Sequence, residues 1–169
     1  MCTTCGCGQP EHSHAHDHDD VRTLRIEESI LAANDRDAEA NRAWLAQREA
    51  VAWNLMSAPG SGKTALLERT IREIGDEISI AVIEGDQATE HDAERVRAAG
   101  APVVQINTGR GCHLDAVMVG QALRELDPPT GARVLIENVG NLVCPSLFAL
   151  GEAVRVALVS VPEGDDKPI

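Results

Sequence analysis

The chain has 169 residues, of which 43% are apolar and 2% aromatic, and its formal net charge is -12. This length fits one domain with a core built from Val, Ile, Leu and Ala. The acidic balance argues against nonspecific binding to nucleic acid or anionic membrane, whose phosphates repel it. No stretch approaches the roughly 18 apolar residues of a membrane span. The N-terminus lacks the basic-then-apolar pattern of a secretory signal, so a cytoplasmic protein is expected. In that setting the five cysteines read as metal ligands or buried thiols before disulfides.

Residues 1–20 hold three Cys and four His among Gly, Pro and Asp. They cannot bury a core and are expected to be a disordered metal-binding tail. Residues 21–50 form a helical lead-in. Leu24, Ile26, Ile30, Leu31, Ala38, Trp44 and Leu45 recur at near-helical spacing. The pattern predicts one or two amphipathic helices, with Asn34-Asp35 as the break if there are two. From residue 51 to 169 strands alternate with helices. Strands are predicted at Val51–Met56, Ile78–Ile83, Val103–Ile106, Ala132–Ile136 and Val154–Val161. Helices are predicted at Lys63–Ile74, Thr89–Ala99 and Leu114–Leu126. That alternation predicts an α/β fold with a mainly parallel sheet and helices on both faces.

Ser57-Ala58-Pro59-Gly60-Ser61-Gly62-Lys63-Thr64 leaves the first strand and opens a helix, which is where a P-loop sits. Pro59, Gly60, Ser61, Gly62, Lys63 and Thr64 are the candidate nucleotide-binding residues. The glycines let the backbone wrap phosphate, and the helix N-terminus offers free N–H groups. Lys63 is expected at the β/γ phosphates and Thr64 on Mg²⁺. Ser57 stands where the motif has its first glycine. The alternative, a glycine-rich turn that binds nothing, fits this strand-loop-helix context poorly. The loop also needs a carboxylate at the end of a neighbouring strand. Glu137 and Asp86 each follow a predicted strand, and Gly140 allows a backbone N–H to approach the γ-phosphate. Helix-capping acids are the plain alternative for both.

Cys2, Cys5 and Cys7 are close enough for their thiolates to converge on one soft cation, with the α-amine of Met1 as a further donor. His12, His14, His16 and His18 alternate with small or acidic residues and are read as loose metal sequestration. The plainer alternative is a solvated run. Cys112-His113 lies in a Gly-rich loop after the third strand, and Cys144 follows the Glu137–Gly140 loop. A Cys112-His113-Cys144 site beside a nucleotide would couple metal occupancy to nucleotide state.

At this point the residues resemble the HypB family, GTPases that help insert nickel into NiFe-hydrogenase. The resemblance runs through Met1–Gly8 and the His-rich tail, then Asn54–Thr64 and Glu84–Thr89. It continues through Thr108–Asp115 and Ile136–Pro145. It implies a P-loop NTPase fold of the SIMIBI type, slow hydrolysis of GTP with Mg²⁺, and delivery of nickel coupled to that hydrolysis. It implies a high-affinity nickel site at Cys2, Cys5 and Cys7. A second nickel or zinc site follows at Cys112, His113 and Cys144, at the interface of a nucleotide- or metal-dependent homodimer. Lys167 would approach the nucleotide of the other subunit. The implied partners are a zinc-containing hydrogenase-maturation co-chaperone, a nickel-storage chaperone and the hydrogenase large subunit as client. Family members continue past Asp166-Lys167-Pro168 to an Asn-Lys-x-Asp motif whose aspartate reads guanine. No such motif occurs up to Ile169, so the expectation is a C-terminally truncated domain whose guanine preference rests on kinship. The rival reading is a nickel or zinc buffer with impaired nucleotide hydrolysis.

Overall fold

The structure, a computed structural model, describes residues 16–86, 91–109 and 111–161, with side chains described at 26 and from 28 onward. The expectations for Cys2, Cys5, Cys7, His12, His14 and Lys167 lie outside these residues. His16 and His18 lie in a helix, but their side chains lie outside the described set.

The elements in chain order are α1 His16–Gln47, β1 Val51–Ser57, α2 Lys63–Ile74, β2 Ile80–Asp86, α3 His91–Ala99, β3 Val103–Asn107, α4 Ala116–Leu126, β4 Arg133–Glu137, α5 Val143–Leu147 and β5 Val154–Leu158. The strands form one sheet in the order β3-β2-β4-β1-β5, and every neighbouring pair is parallel. Each return to a parallel neighbour requires a crossover, which the helices supply. The class is α/β, with the P-loop NTPase arrangement of a strand, a glycine-rich loop and a helix.

Alternate residues along each central strand feed two cores. Ala52, Ile83, Val134 and Ile136 point to one face, where Leu45, Leu114, Val119, Leu123 and Leu150 cover them. Leu55, Val82 and Leu135 point to the other, under Leu67, Ile71 and Val96. Lys63, Thr64, Leu67 and Ile71 recur at helical spacing as the buried residues of α2. The apolar packing of α2 against the sheet therefore also fixes the direction of Lys63 and Thr64. Gly75 ends the helix, its N–H donating to Ile71 O at 2.9 Å.

Several elements differ from the sequence reading. Strand β2 spans Ile80–Asp86 rather than Ile78–Ile83, so Asp86 ends the strand instead of following it, and α5 was not foreseen. Helix α1 starts at His16, inside the segment read as tail, and runs unbroken through Asn34-Asp35. Asn34 does not break the helix because its side chain has tertiary partners. Its Nδ2 donates to Ala149 O at 2.8 Å, and its Oδ1 accepts from Ala116 N–H at 2.9 Å. Asn41, two turns on, donates to Ala116 O and Leu150 O. Helix α4 begins at Ala116 because Asp115 caps it, accepting from Met118 N–H at 2.8 Å. Strand β5 stops at Leu158 and is half exposed, with Val154 40% accessible. Its continuous apolar style predicts burial on both faces, but among the described residues it lies at the sheet edge. Among the described residues it pairs only with β1.

Candidate functional site

Strands β1, β2 and β4 end on the same side of the sheet, because all three are parallel. The C-terminal ends of β2 and β4, the loop after β1 and the start of α2 line a cavity of about 500 Å³, together with Asp92 and Arg95 of α3. Ligands of open parallel sheets gather at this edge.

The loop from Ser57 to Gly62 has the shape its glycines allow. Gly60 and Gly62 have φ of 78° and 98°, left-handed values that a side chain would strain. Ser57 is fully buried and has a clear job in place of the motif's first glycine. Its Oγ accepts from Lys63 Nζ at 2.9 Å and also meets Ser61 Oγ. The hydroxyl thus holds the ammonium group in the loop. Asn141 bridges to Ser57, which lays the segment after β4 against the loop. Gly140 touches Pro59 there: a Cβ on Gly140 would lie 2.8 Å from Pro59 Cγ.

Behind the loop is a buried acidic group. Thr64 Oγ1 donates to Glu137 Oε1 at 2.9 Å. Ligand oxygens of Glu84, Asp92 and Glu137 lie within 4.8 Å of one another, and Asp86 lines the same cavity. Glu84 and Glu137 are 2% and 4% exposed, and each has an Oε2 without a hydrogen-bond partner. Burial pushes the Glu84 carboxyl up to about 10, and the neighbouring Glu137 carboxylate adds to the shift. Burial also raises Glu137, while the Thr64 hydrogen bond and Lys63 pull the other way. The pair therefore keeps a proton at neutral pH, carried by Glu84. Hard carboxylate oxygens with unused lone pairs fit a divalent cation of the Mg²⁺ type. On α3, Arg95 is held by Glu68 at 2.9 Å and by Asp92 at 3.0 Å.

A second cluster forms from the loop after β3 and from α5. Cys112 Sγ lies 3.6 Å from His113 Nδ1. The Cys144 thiol beside Cys112 raises the latter's pKa through their hydrogen bond. The His113 ring stacks on Phe148 with centroids 4.0 Å apart. The structure thus brings Cys112 next to both of its expected companions. Among the described residues, the three donors found within 4.8 Å of one another are those of the acidic trio rather than this set. His91 is exposed, 3.8 Å from Glu94.

The site thus joins Lys63, Thr64, Asp86, Glu137 and Gly140, all named from the sequence, around one cavity. Glu84, Asp92, Arg95 and Asn138 line it too and were not singled out. Glu84 carried a signal: it is a charged residue within the strand Ile80–Asp86, otherwise buried almost throughout. A carboxylate in such a run needs a reason. Asn138 gave no signal, because its role depends on residues distant in sequence. Among the described residues, no helix is long and apolar enough to cross a membrane.

Comparison with known proteins agrees with this geometry. Residues 51–159 match the family model described as CobW/HypB/UreG, nucleotide-binding domain. The hydrogenase maturation factor HypB of Azotobacter vinelandii is 60% identical over 148 residues, which are 88% of this chain and 49% of that protein. The HypB of Escherichia coli K12 is 52% identical, over 88% of this chain and 51% of its own length. The chain spans about half the length of these curated relatives. Among solved structures, HypB from Archaeoglobus fulgidus matches with TM-score 0.73 and 50% identity, covering 80% of this chain and 66% of that one. A HypB from Helicobacter pylori in complex with nickel matches with TM-score 0.72 and 42% identity, covering 80% and 64%. A P-loop cavity with buried acids at parallel strand ends, carried on a sequence this similar to HypB over 88% of its length, means that the chain belongs to the CobW/HypB/UreG nucleotide-binding family.

Proposed function

We propose that this chain is the nucleotide-hydrolysing part of a nickel-delivery protein for NiFe-hydrogenase maturation, with GTP as its substrate and nickel as its cargo. One observation carries the reading. Lys63 and Thr64 open α2 above a cavity whose floor is buried carboxylate with unpartnered oxygens, which is the chemistry a nucleoside triphosphate and its cation need.

In this reading the loop amides from Gly60 to Thr64 bind phosphate oxygens, and Ser57 holds Lys63 aimed at the β/γ phosphates. Gly140 brings the backbone after β4 within reach of the γ-phosphate. Thr64, Asp86 and Glu137 are the residues that would hold Mg²⁺, which when bound neutralises charge developing on the phosphoryl group. Fixed donors and an excluded solvent supply the rest. Cys2, Cys5 and Cys7 take nickel first, with His12, His14, His16 and His18 as loose reserve. Cys112, His113 and Cys144 form the second nickel or zinc site, shared across a nucleotide- or metal-dependent homodimer in which Lys167 reaches the partner's nucleotide. The reaction belongs in the cytoplasm, with a zinc-containing co-chaperone, a nickel-storage chaperone and the hydrogenase large subunit as partners. Neither nucleic acid nor membrane takes part.

The test is titration of GTP and ATP with Mg²⁺, with and without Ni²⁺, followed by hydrolysis assays. The expected result is a preference for GTP and slow hydrolysis that Lys63→Ala abolishes. Nickel binding at the tail should survive that change. Failure to bind either nucleotide would overturn the reading in favour of a metal buffer.

A further inference from the structure

The cavity and the Cys112-His113-Cys144 cluster belong to different loops, and one buried side chain spans them. Asn138 follows Glu137 directly and is 1% exposed. Its Oδ1 accepts from Leu114 N–H at 3.2 Å and from Val139 N–H at 3.0 Å. Its Nδ2 donates to Asn54 Oδ1 at 3.1 Å. Its backbone N–H donates to Leu55 O at 3.0 Å. Leu114 is the residue after His113. It is fully buried, and its side chain lies over Gly85, where a Cβ would come within 2.9 Å of Leu114 Cδ1. Gly85 lies between Glu84 and Asp86. The backbone beside the thiols is thus tied to the cavity twice, by a hydrogen bond to the residue after Glu137 and by close packing on the end of β2.

We infer that the Asn138 carboxamide is the positioning group through which the state of the nucleotide cavity reaches the Cys112-His113-Cys144 cluster. The inference rests on the proposed function, in that it takes the cavity to hold nucleotide and the cluster to hold metal. The reasoning is mechanical. Residues 137–140 line the cavity, so an occupant that shifts Glu137 or Gly140 shifts Asn138 between them. Leu114 N–H is buried and bonded to Asn138 Oδ1. Letting that bond break would leave a buried donor without an acceptor, so the backbone after His113 follows. Asn54, fully buried, holds the far side of the carboxamide. Its own Nδ2 has no hydrogen-bond partner, so the bond it makes to this neighbour is that with Asn138. An amide is required because it accepts twice and donates once in a fixed plane. A carboxylate would leave Asn54 Oδ1 without its donor.

The experiment uses the chain with Cys2, Cys5 and Cys7 replaced by Ala in every arm, so that the probe, Ni²⁺ alone, reports the second site. Its affinity is measured by competition with a chromophoric chelator, without nucleotide and with saturating Mg²⁺ and GDP. Coupling between sites typically changes affinity by roughly 5- to 150-fold. The parent is expected to show a ratio of about fivefold or more. Asn138→Ala, with GDP raised to saturation for that variant because Asn138 lines the cavity, should bring the ratio to within about twofold of one, while its nucleotide-free Ni²⁺ affinity stays within about threefold of the parent. Asn41→Ala, which loosens the same region through Ala116 O and Leu150 O without touching residues 137–140, should keep the parent ratio. A parent ratio of one would overturn the coupled reading itself. A parent ratio that Asn138→Ala preserves, or that Asn41→Ala also abolishes, would overturn the link alone. If Asn138→Ala does not fold, amide hydrogen exchange on the parent decides. GDP with Mg²⁺ must change the exchange of Leu114 N–H together with Val139 N–H, and an unchanged Leu114 overturns the link.

Discussion

Glu84→Gln should change how the stability of the metal-free chain depends on pH. The Glu84 carboxyl titrates near 4.5 when exposed and is pushed up to about 10 in the fold by burial and by Glu137. Between these values the folded chain holds a proton that the unfolded chain releases. Stability is therefore greatest below the unfolded value and falls as pH rises, by about 1.4 kcal/mol per unit for one proton. From about pH 5 to about pH 7 the loss is about 3 kcal/mol. Glutamine has nearly the same shape, keeps a donor for Glu137 and does not titrate. Groups away from the pair titrate alike in both proteins and cancel, whereas Glu137 is coupled to Glu84, so the difference reports the titration of the pair. The assay is urea unfolding of both chains in chelator at several pH values, with free energies from the midpoint and slope. The wild type should lose about 3 kcal/mol relative to the variant over that interval. Parallel curves would refute the argument, because they would mean that Glu84 carries the same charge folded and unfolded.

Three further outcomes are expected. Gly140→Ala puts a Cβ 2.8 Å from Pro59 Cγ and 3.1 Å from Pro59 Cα, an overpacking of about 1–3 kcal/mol that falls on the phosphate loop. A fluorescent-nucleotide titration should show about tenfold weaker binding or worse. Asn41→Ala leaves the buried Ala116 O and Leu150 O without this donor and should cost about 1–3 kcal/mol in chemical denaturation. No loss of stability would mean that α1 does not depend on these bonds to dock. Replacing Cys2, Cys5 and Cys7 by Ala should remove the tightest Ni²⁺ binding seen by chelator competition and leave nucleotide hydrolysis unchanged.

Where local rules decide the structure, the sequence was a good guide. Helix α2 runs from Lys63 to Ile74 as its pattern predicts, because a glycine-rich loop starts it, Gly75 ends it and Leu67 and Ile71 face the sheet. The P-loop and the acids at strand ends were legible because a parallel sheet places its carboxyl ends together. Tertiary bonds hid the rest. The Asn34-Asp35 pair resembles a break, but in the fold Asn34 bonds to residues 82 and 115 positions away. Helix α5 is five residues long and contains Pro145, too short to show a period. Strand β5 has an apolar sequence, and only its place at the sheet edge shows that it is half exposed. Glu84 could have been read as a site residue from its place directly after the apolar run Ile80–Ile83 and two residues before Asp86. Asn138 could not, since its partners Asn54 and Leu114 lie on other elements.

The charges around the cavity also bear on the order in which its occupants bind. Glu84, Asp86, Asp92 and Glu137 line it, against Lys63 and Arg95. Arg95 is already engaged by Glu68 and Asp92, and Lys63 is bonded to Ser57. Even with a proton on Glu84, carboxylates outnumber the cations, so a bare triphosphate meets a net negative floor. A divalent cation reverses that balance and uses the unpartnered oxygens of Glu84 and Glu137, which the fold otherwise buries at a cost. Nucleotide affinity should therefore depend steeply on the divalent cation. Glu84→Gln exchanges one neutral group for another in the metal-free cavity, so it should leave binding in chelator unchanged and remove part of the gain that the cation brings.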